Sequence, residues 1–210
     1  MILHLLGALT FSTFLPSASL RPPILGQWES VERSTGGVGE IVEFRPDGSF
    51  LQMVAAMGDA TYETRGDGLL TFWKDNATGN TSIIANGIDF EGDLLVQKDD
   101  QGNLLDHLER IERGRKSDPP LVGKWCSDGF PGLATLREFT PDGKMFIRLP
   151  IQIGHGRYRI SGDTLTTDSD RSSEKTFQFH VENGLLTVIS KGSPEKKFKR
   201  AETTLLKEIP

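Results

Sequence analysis

Two nine-residue phrases, PPILGQWES beginning at Pro22 and PPLVGKWCS beginning at Pro119, are near copies of one another within a chain of 210 residues. A second pair of phrases follows each: EFRPDGSF from Glu43 and EFTPDGKMF from Glu138. Further on, Tyr62 with RGDGLLTF answers Tyr158 with SGDTLTTD, FEGDLLVQ answers VENGLLTV, and RIER at the end of the first copy answers KFKR at the end of the second. The order of features is the same in both copies, which is the signature of internal duplication. A duplicated chain is constrained to build one kind of unit twice, so the fold problem reduces to a unit of roughly half the length. The expected boundaries are 20–114 for the first repeat and 115–210 for the second, joined by the charged, proline-rich segment GRKSDPP. Such a linker favours two bodies on a short tether.

Inside each copy the texture is β. Runs such as GEIVEF, SFLQMVA, ATYET and LLTFW are bounded by Pro-Asp-Gly, Gly-Asp-Gly and Asn-Gly. These are hairpin signals, and their spacing of about ten residues suits a sandwich or small barrel. Asp47 and Gly48 in the first copy, and Asp142 and Gly143 in the second, are placed in tight turns. Proline there presets φ and glycine accepts the positive φ that the turn needs. LLDHLERIER is read as the closing strand of the first copy, and the basic run Lys196 to Arg200 as the last strand of the second. Pro150 marks an edge, a bulge or a strand end. His155, between two glycines, reads as a turn residue.

A Gly-x-Trp at the mouth of the first strand, a meander of hairpins and an arginine in the closing strand resemble the lipocalin and calycin pattern, in particular small bacterial lipocalin-like domains. The residues that carry the resemblance are Gly26, Trp28 and Arg113 in the first copy, and Gly123, Trp125 and Arg200 in the second. The Phe-x-x-Asp-Gly hairpins add Phe44 and Phe139. The resemblance implies an all-β fold of two tandem small antiparallel up-and-down β-barrels. In each, the tryptophan plugs the closed end and the arginine lies across it, a cation–π arrangement. Alternatives are a pair of small sandwiches, or one larger sheet shared by both copies. An eight-stranded barrel has an interior that is either filled by side chains or holds one small ligand. Met53, Met57, Tyr62, Trp73 and Tyr158 are candidate ligand-lining residues, with core filling the competing role for the methionines.

Residues 1–19 read as a signal peptide: the first twenty residues carry no Lys, Arg, Asp or Glu, and the apolar run from Ile2 stops at Pro16, ahead of Ser17-Ala18-Ser19. That run is too short to span a bilayer, which takes about 20 apolar residues. A secreted or periplasmic location is therefore expected, with no transmembrane span in the mature chain. Asn76 and Asn80 begin glycosylation sequons that have meaning only in a eukaryotic source. Cys126 is the only cysteine, so no intrachain disulfide forms.

The formal charge of −5 argues against nucleic acid as a partner. None of the four histidines pairs with another at metal-ligand spacing, so neither a metal nor a cofactor is expected. Ser172 and Lys175 stand at Ser-x-x-Lys spacing but lie in a polar segment without the required helix, and STGGVGE lacks a Walker lysine. No catalytic residue is assigned and an enzyme is not expected. The leading expectation is an exported binding protein for a small apolar or amphipathic molecule. The alternative is an envelope or extracellular interaction module with solid barrels.

Overall fold

The computed structural model describes residues 23–75, 78–130 and 133–203. The expected signal peptide and the sequon residue Asn76 lie outside the described residues. All regular structure among the described residues is β. The strands of the first copy are β1 (Gly26–Ser30), β2 (Val38–Phe44), β3 (Ser49–Arg65), β4 (Gly68–Lys74), β5 (Thr81–Glu91), β6 (Leu94–Lys98) and β7 (Leu104–Arg113). Those of the second are β8 (Gly123–Phe130), β9 (Leu133–Phe139), β10 (Lys144–Ser161), β11 (Thr164–Ser169), β12 (Ser172–Glu182), β13 (Leu185–Ile189) and β14 (Lys196–Arg200).

Each strand pairs antiparallel with its neighbours in sequence, and β1 pairs with β14 to close the ring. The additional pairing of β3 with β10, from Ser49↔Arg157 to Thr61↔Lys144, divides this ring into two circuits. The first circuit runs through β1, β2, the N-terminal part of β3, the C-terminal part of β10, and β11 to β14. The second runs through the rest of β3, β4 to β9 and the beginning of β10. Both circuits are therefore built from both copies. This corrects the division into one self-contained unit per copy at residues 20–114 and 115–210.

The reason lies in the middle of β3. SFLQMVA and ATYET, read as separate runs, form one uninterrupted strand across Met57-Gly58-Asp59. A chain closing on its own copy has to turn back there, and these residues carry no Pro-Asp-Gly. The strand instead continues straight and pairs with its counterpart in the other copy. Segment 114–120 is likewise no tether. Gly114 N–H donates to Val122 O at 3.2 Å and Asp118 N–H to Arg115 O at 2.9 Å, so the segment is a tight connection between the paired strands β7 and β8.

The Pro-Asp-Gly turns form as expected, with Gly48 at φ +80° and Gly143 at φ +79°. Their placement also crosses the copies. Tyr158 N–H donates to Gly48 O and Tyr62 N–H to Gly143 O, both at 2.8 Å. The Tyr158 hydroxyl donates to Arg45 O and the Tyr62 hydroxyl to Thr140 O, again at 2.8 Å. Each tyrosine packs edge-on against the phenylalanine ahead of the other copy's turn, Tyr158 on Phe44 and Tyr62 on Phe139. Pro150 precedes a bulge, where the register shifts before Gln152, and His155 lies within β10 opposite Leu51 rather than in a turn.

Two apolar cores follow the circuits. Ile24, Trp28, Phe44 and Phe50 pack with Leu165, Phe179, Leu186 and Phe198 in the first. Leu69, Ile88, Leu95 and Leu108 pack with Leu121, Trp125, Phe139 and Met145 in the second. A third cluster, Ile41, Leu51, Met53, Ala55 and Met57, occupies the opposite face of β2 and β3. The face of these strands towards the first core is buried only at Phe44 and Phe50 and is half-buried beyond them.

A buried charge network lies where the circuits meet. Arg148, with no exposed surface, pairs with the equally buried Glu29 at 3.0 Å and with Asp59 at 2.7 Å. Arg33 holds Asp59 at 2.7 Å, and Lys199 holds Glu29 at 3.0 Å. Burial pushes the Asp59 carboxyl up, but Arg148 and Arg33 together outweigh it, and its pKa lies below the usual value.

Candidate ligand-binding site

The closed ends of the two circuits are alike in detail. Trp28 Nε1 donates to Ile24 O at 2.6 Å, and Trp125 Nε1 donates to Leu121 O at 2.9 Å, so each repeated phrase folds its own indole back onto its fourth preceding carbonyl. A guanidinium covers each ring: Arg200 stands 3.7 Å from the Trp28 centroid and Arg110 stands 3.9 Å from that of Trp125. Arg200 donates to Pro23 O at 2.8 Å and to Leu25 O, and Arg110 makes the equivalent bonds to Pro120 O at 2.7 Å and Val122 O at 3.4 Å. Gly26 and Gly123, at φ +103° and +139°, let the backbone pass beneath. A side chain at Gly123 would meet Glu112 O at 2.3 Å, so only glycine fits.

Two corrections follow. The closing arginine of the first copy is Arg110, not Arg113, because β7 bulges between Arg110 and Glu112 and so places Arg110 opposite Trp125. Arg113 is exposed and pairs with Asp93. The pairing is also crossed: Arg200 covers Trp28, and an arginine of the first copy covers Trp125.

At the other end the circuits differ. The first contains a cavity of about 430 Å³ that reaches the layer packed with Trp28, namely Phe44, Phe50, Leu165, Leu186 and Phe198, with Val42, Phe177 and Val188 above them. Strand registers identify the counterparts in the second circuit: Phe139, Met145, Leu69, Leu95 and Leu108 for that layer. None of these five borders the space of about 440 Å³ at the second circuit, which instead touches Trp73, Arg137, Asp106 and Leu149.

What closes the second circuit is visible in the same registers. Arg137 occupies the position of Val42, Gln97 that of Val188, Asp106 that of Lys196 and Trp73 that of Ser169. Arg137 donates to Gln97 Oε1 at 2.8 Å and to Asp106 at 2.6 Å, a polar cross-link between β9, β6 and β7 of the second circuit. The Trp73 ring lies so close to Gly58 that a Cβ there would meet it at 2.8 Å. Valine at positions 42 and 188 and serine at 169 make no such plug.

Of the candidate lining residues, Trp73 and Met57 border the plugged space. Met53 belongs to the cluster on the opposite face of β3. Tyr62 and Tyr158 are held in the cores by their hydroxyl bonds to the turns and border neither space. The residues that do line the open cavity were unassigned from sequence. Val42 and Phe44 alternate with Glu43 and Arg45 in the sequence, but the first copy alone does not announce that residues between Leu165 and Phe198 of the second complete the wall. Among the described residues no cluster of His, Cys, Asp and Glu is arranged to hold a metal ion. Among the described residues no helix is long and apolar enough to cross a membrane, which says nothing of strands. Comparison with protein-family models, with curated proteins and with solved structures finds no match.

Proposed function

We propose that this protein is an exported, non-enzymatic binding protein of lipocalin-like type, holding one small apolar or amphipathic molecule in the first circuit. The supporting observation is the asymmetry between two otherwise matching interiors: one leaves five aromatic and aliphatic side chains open to a cavity of about 430 Å³, while its duplicate is plugged. Small-molecule pockets fall at about 300–1,000 Å³ with mainly apolar walls. The lipocalin-like reading rests on the Gly-x-Trp phrases and the arginines over the indoles. An extracellular or periplasmic location rests on the leader-like residues 1–19.

Titration with an environment-sensitive apolar dye tests the reading. The wild-type chain is expected to bind one equivalent. Ser169→Trp, which copies the plug of the other circuit, is expected to abolish binding while leaving the thermal transition cooperative. No binding by the wild type, or full binding by Ser169→Trp, overturns it. The alternative of a protein-interaction module draws on the exposed Ile83, Ile84, Leu104 and Leu105 of β5 and β7, and gains if the dye finds no site.

A further inference from the structure

The cavity's rim differs from its duplicate in charge as well as in openness. Lys175, on β12, borders the cavity, is exposed, and has no carboxylate partner among the described residues. The other cation of the rim, Lys196, is paired with Glu40 across the cavity wall. The rim therefore presents one unneutralised positive charge over an apolar interior. In the plugged circuit the registers put Ile84 where Lys175 stands, Asp106 where Lys196 stands and Thr135 where Glu40 stands. The uncompensated cation thus accompanies the open interior and is missing from the closed one.

We propose, resting on the binding reading above, that the occupant is a single-tailed amphiphile with a monoanionic head, its tail against Phe44, Phe50 and Leu186 and its head at Lys175. A cationic head meets Lys175 as a like charge, and Glu40, the one carboxylate that borders the cavity among the described residues, is already neutralised by Lys196. A neutral head leaves the ammonium in water and gains nothing from it. The chain as a whole carries −5 and repels anions at a distance, so recognition of an anion has to come from a local cation at contact range. Lysine is a compact, flexible point charge that follows a head group at a solvated rim rather than fixing it in a planar fork.

Displacement of the apolar dye by three probes of equal tail, decanoate, decanol and decyltrimethylammonium, tests the proposal on the full chain. Decanoate is expected to bind about fivefold more tightly than decanol, equivalent to about 1 kcal/mol, and decyltrimethylammonium more weakly than both. Lys175→Gln is expected to bring decanoate down to the affinity of decanol without changing decanol itself. Raised salt is expected to narrow the gap in the wild type only. Equal affinity for decanoate and decanol, or a preference that survives in Lys175→Gln, overturns the assignment of the head group while leaving the binding reading intact. Failure of all three probes and of the dye removes both.

Discussion

Arg200 in the last strand of the second repeat stands over Trp28 in the first strand of the first, 3.7 Å from the ring centroid, and is bonded to the carbonyls of Pro23 and Leu25. The same contact between Arg110 and Trp125 runs the other way across the repeat boundary. With the crossed tyrosine–turn bonds and the β3–β10 ribbon, these contacts make the two copies mutually dependent. Each circuit takes its opening strands from one copy and its closing strands from the other.

The arginine–tryptophan pairs are expected to behave as coupled units. Trp28→Ala removes a fully buried indole and costs about 3–5 kcal/mol. Its double-mutant cycle with Arg200→Ala is expected to show a coupling of about 1–2 kcal/mol. The cycle with Arg113→Ala should be additive, and Arg113→Ala alone should cost no more than about 0.5 kcal/mol. Chemical denaturation of the five variants and the wild type decides it, and coupling to Arg113 in place of Arg200 contradicts the crossed closure.

Much of this was legible in the sequence. The repeated phrases, the β texture and the Pro-Asp-Gly turns at Gly48 and Gly143 follow from local chemistry, which a single copy carries complete. The crossing did not follow. Whether β3 turns back at Met57-Gly58-Asp59 or runs on into the other copy depends on partners distant in the chain, and a duplicated sequence offers each strand two nearly identical partners. One sign is in the sequence: where the first copy alternates Val42, Glu43 and Phe44, the matching Arg137, Glu138 and Phe139 put a charge on the apolar face. Arg137 shares the inward face with Phe139 and plugs the second circuit, while Leu136 is buried on the outside with Phe146.

The buried pair Glu29–Arg148 has symmetry-related positions occupied by Cys126 and Met53. Arg148→Met alone leaves Glu29 in a buried site with fewer counter-charges and is expected to cost about 3–5 kcal/mol. Adding Glu29→Cys restores at least half of that loss, because Asp59 keeps Arg33 at 2.7 Å and Lys199 keeps Glu202 at 3.5 Å. Thermal denaturation under reducing conditions reads the difference. A double variant no more stable than the single one shows that the ion pair stabilises the seam by more than its own neutralisation.

Fragment 116–210 should not form a folded monomer. It retains β10 but loses β3, the partner registered along that strand from Ser49 to Thr61, and so leaves a long unpaired edge. The expected result is a species whose sedimentation and melting temperature depend on concentration, two fragments exchanging strands as the two repeats do. A concentration-independent, cooperative monomer means that the repeat can turn back on itself.

Alkaline pH should loosen the crossed turns. Burial, then the nearby carboxylates of Asp142 and Asp118, push the Tyr62 hydroxyl from its ordinary value of 10.0 to about 12, and burial with Asp47 also raises Tyr158. The folded state thus holds the Tyr62 proton more tightly than the unfolded chain. The resulting stability is complete below pH about 10 and is lost as pH rises towards about 12. The chain has only these two tyrosines, so tyrosinate absorbance reports on them alone. At pH about 10 the folded protein is expected to show less tyrosinate than the denatured chain, in which both tyrosines are about half ionised. Equal titration in both states contradicts the buried hydroxyl–carbonyl bonds.

The plug of the second circuit suggests a reciprocal experiment to Ser169→Trp. Trp73→Ser, Arg137→Val and Asp106→Lys together give the second circuit the residues that the first carries at the matching positions. Arg137 and Asp106 have to change together, because removing the arginine alone strands a carboxylate only 21% exposed. Gln97 then loses its bonded arginine, so Gln97→Val completes the exchange. The quadruple variant is expected to bind two equivalents of the apolar dye where the wild type binds one, with the first site unchanged in affinity. A stoichiometry that stays at one, in a protein that still melts cooperatively, means that the second interior is closed by its deep layer of Phe139, Met145 and Leu108 rather than by the residues at its mouth.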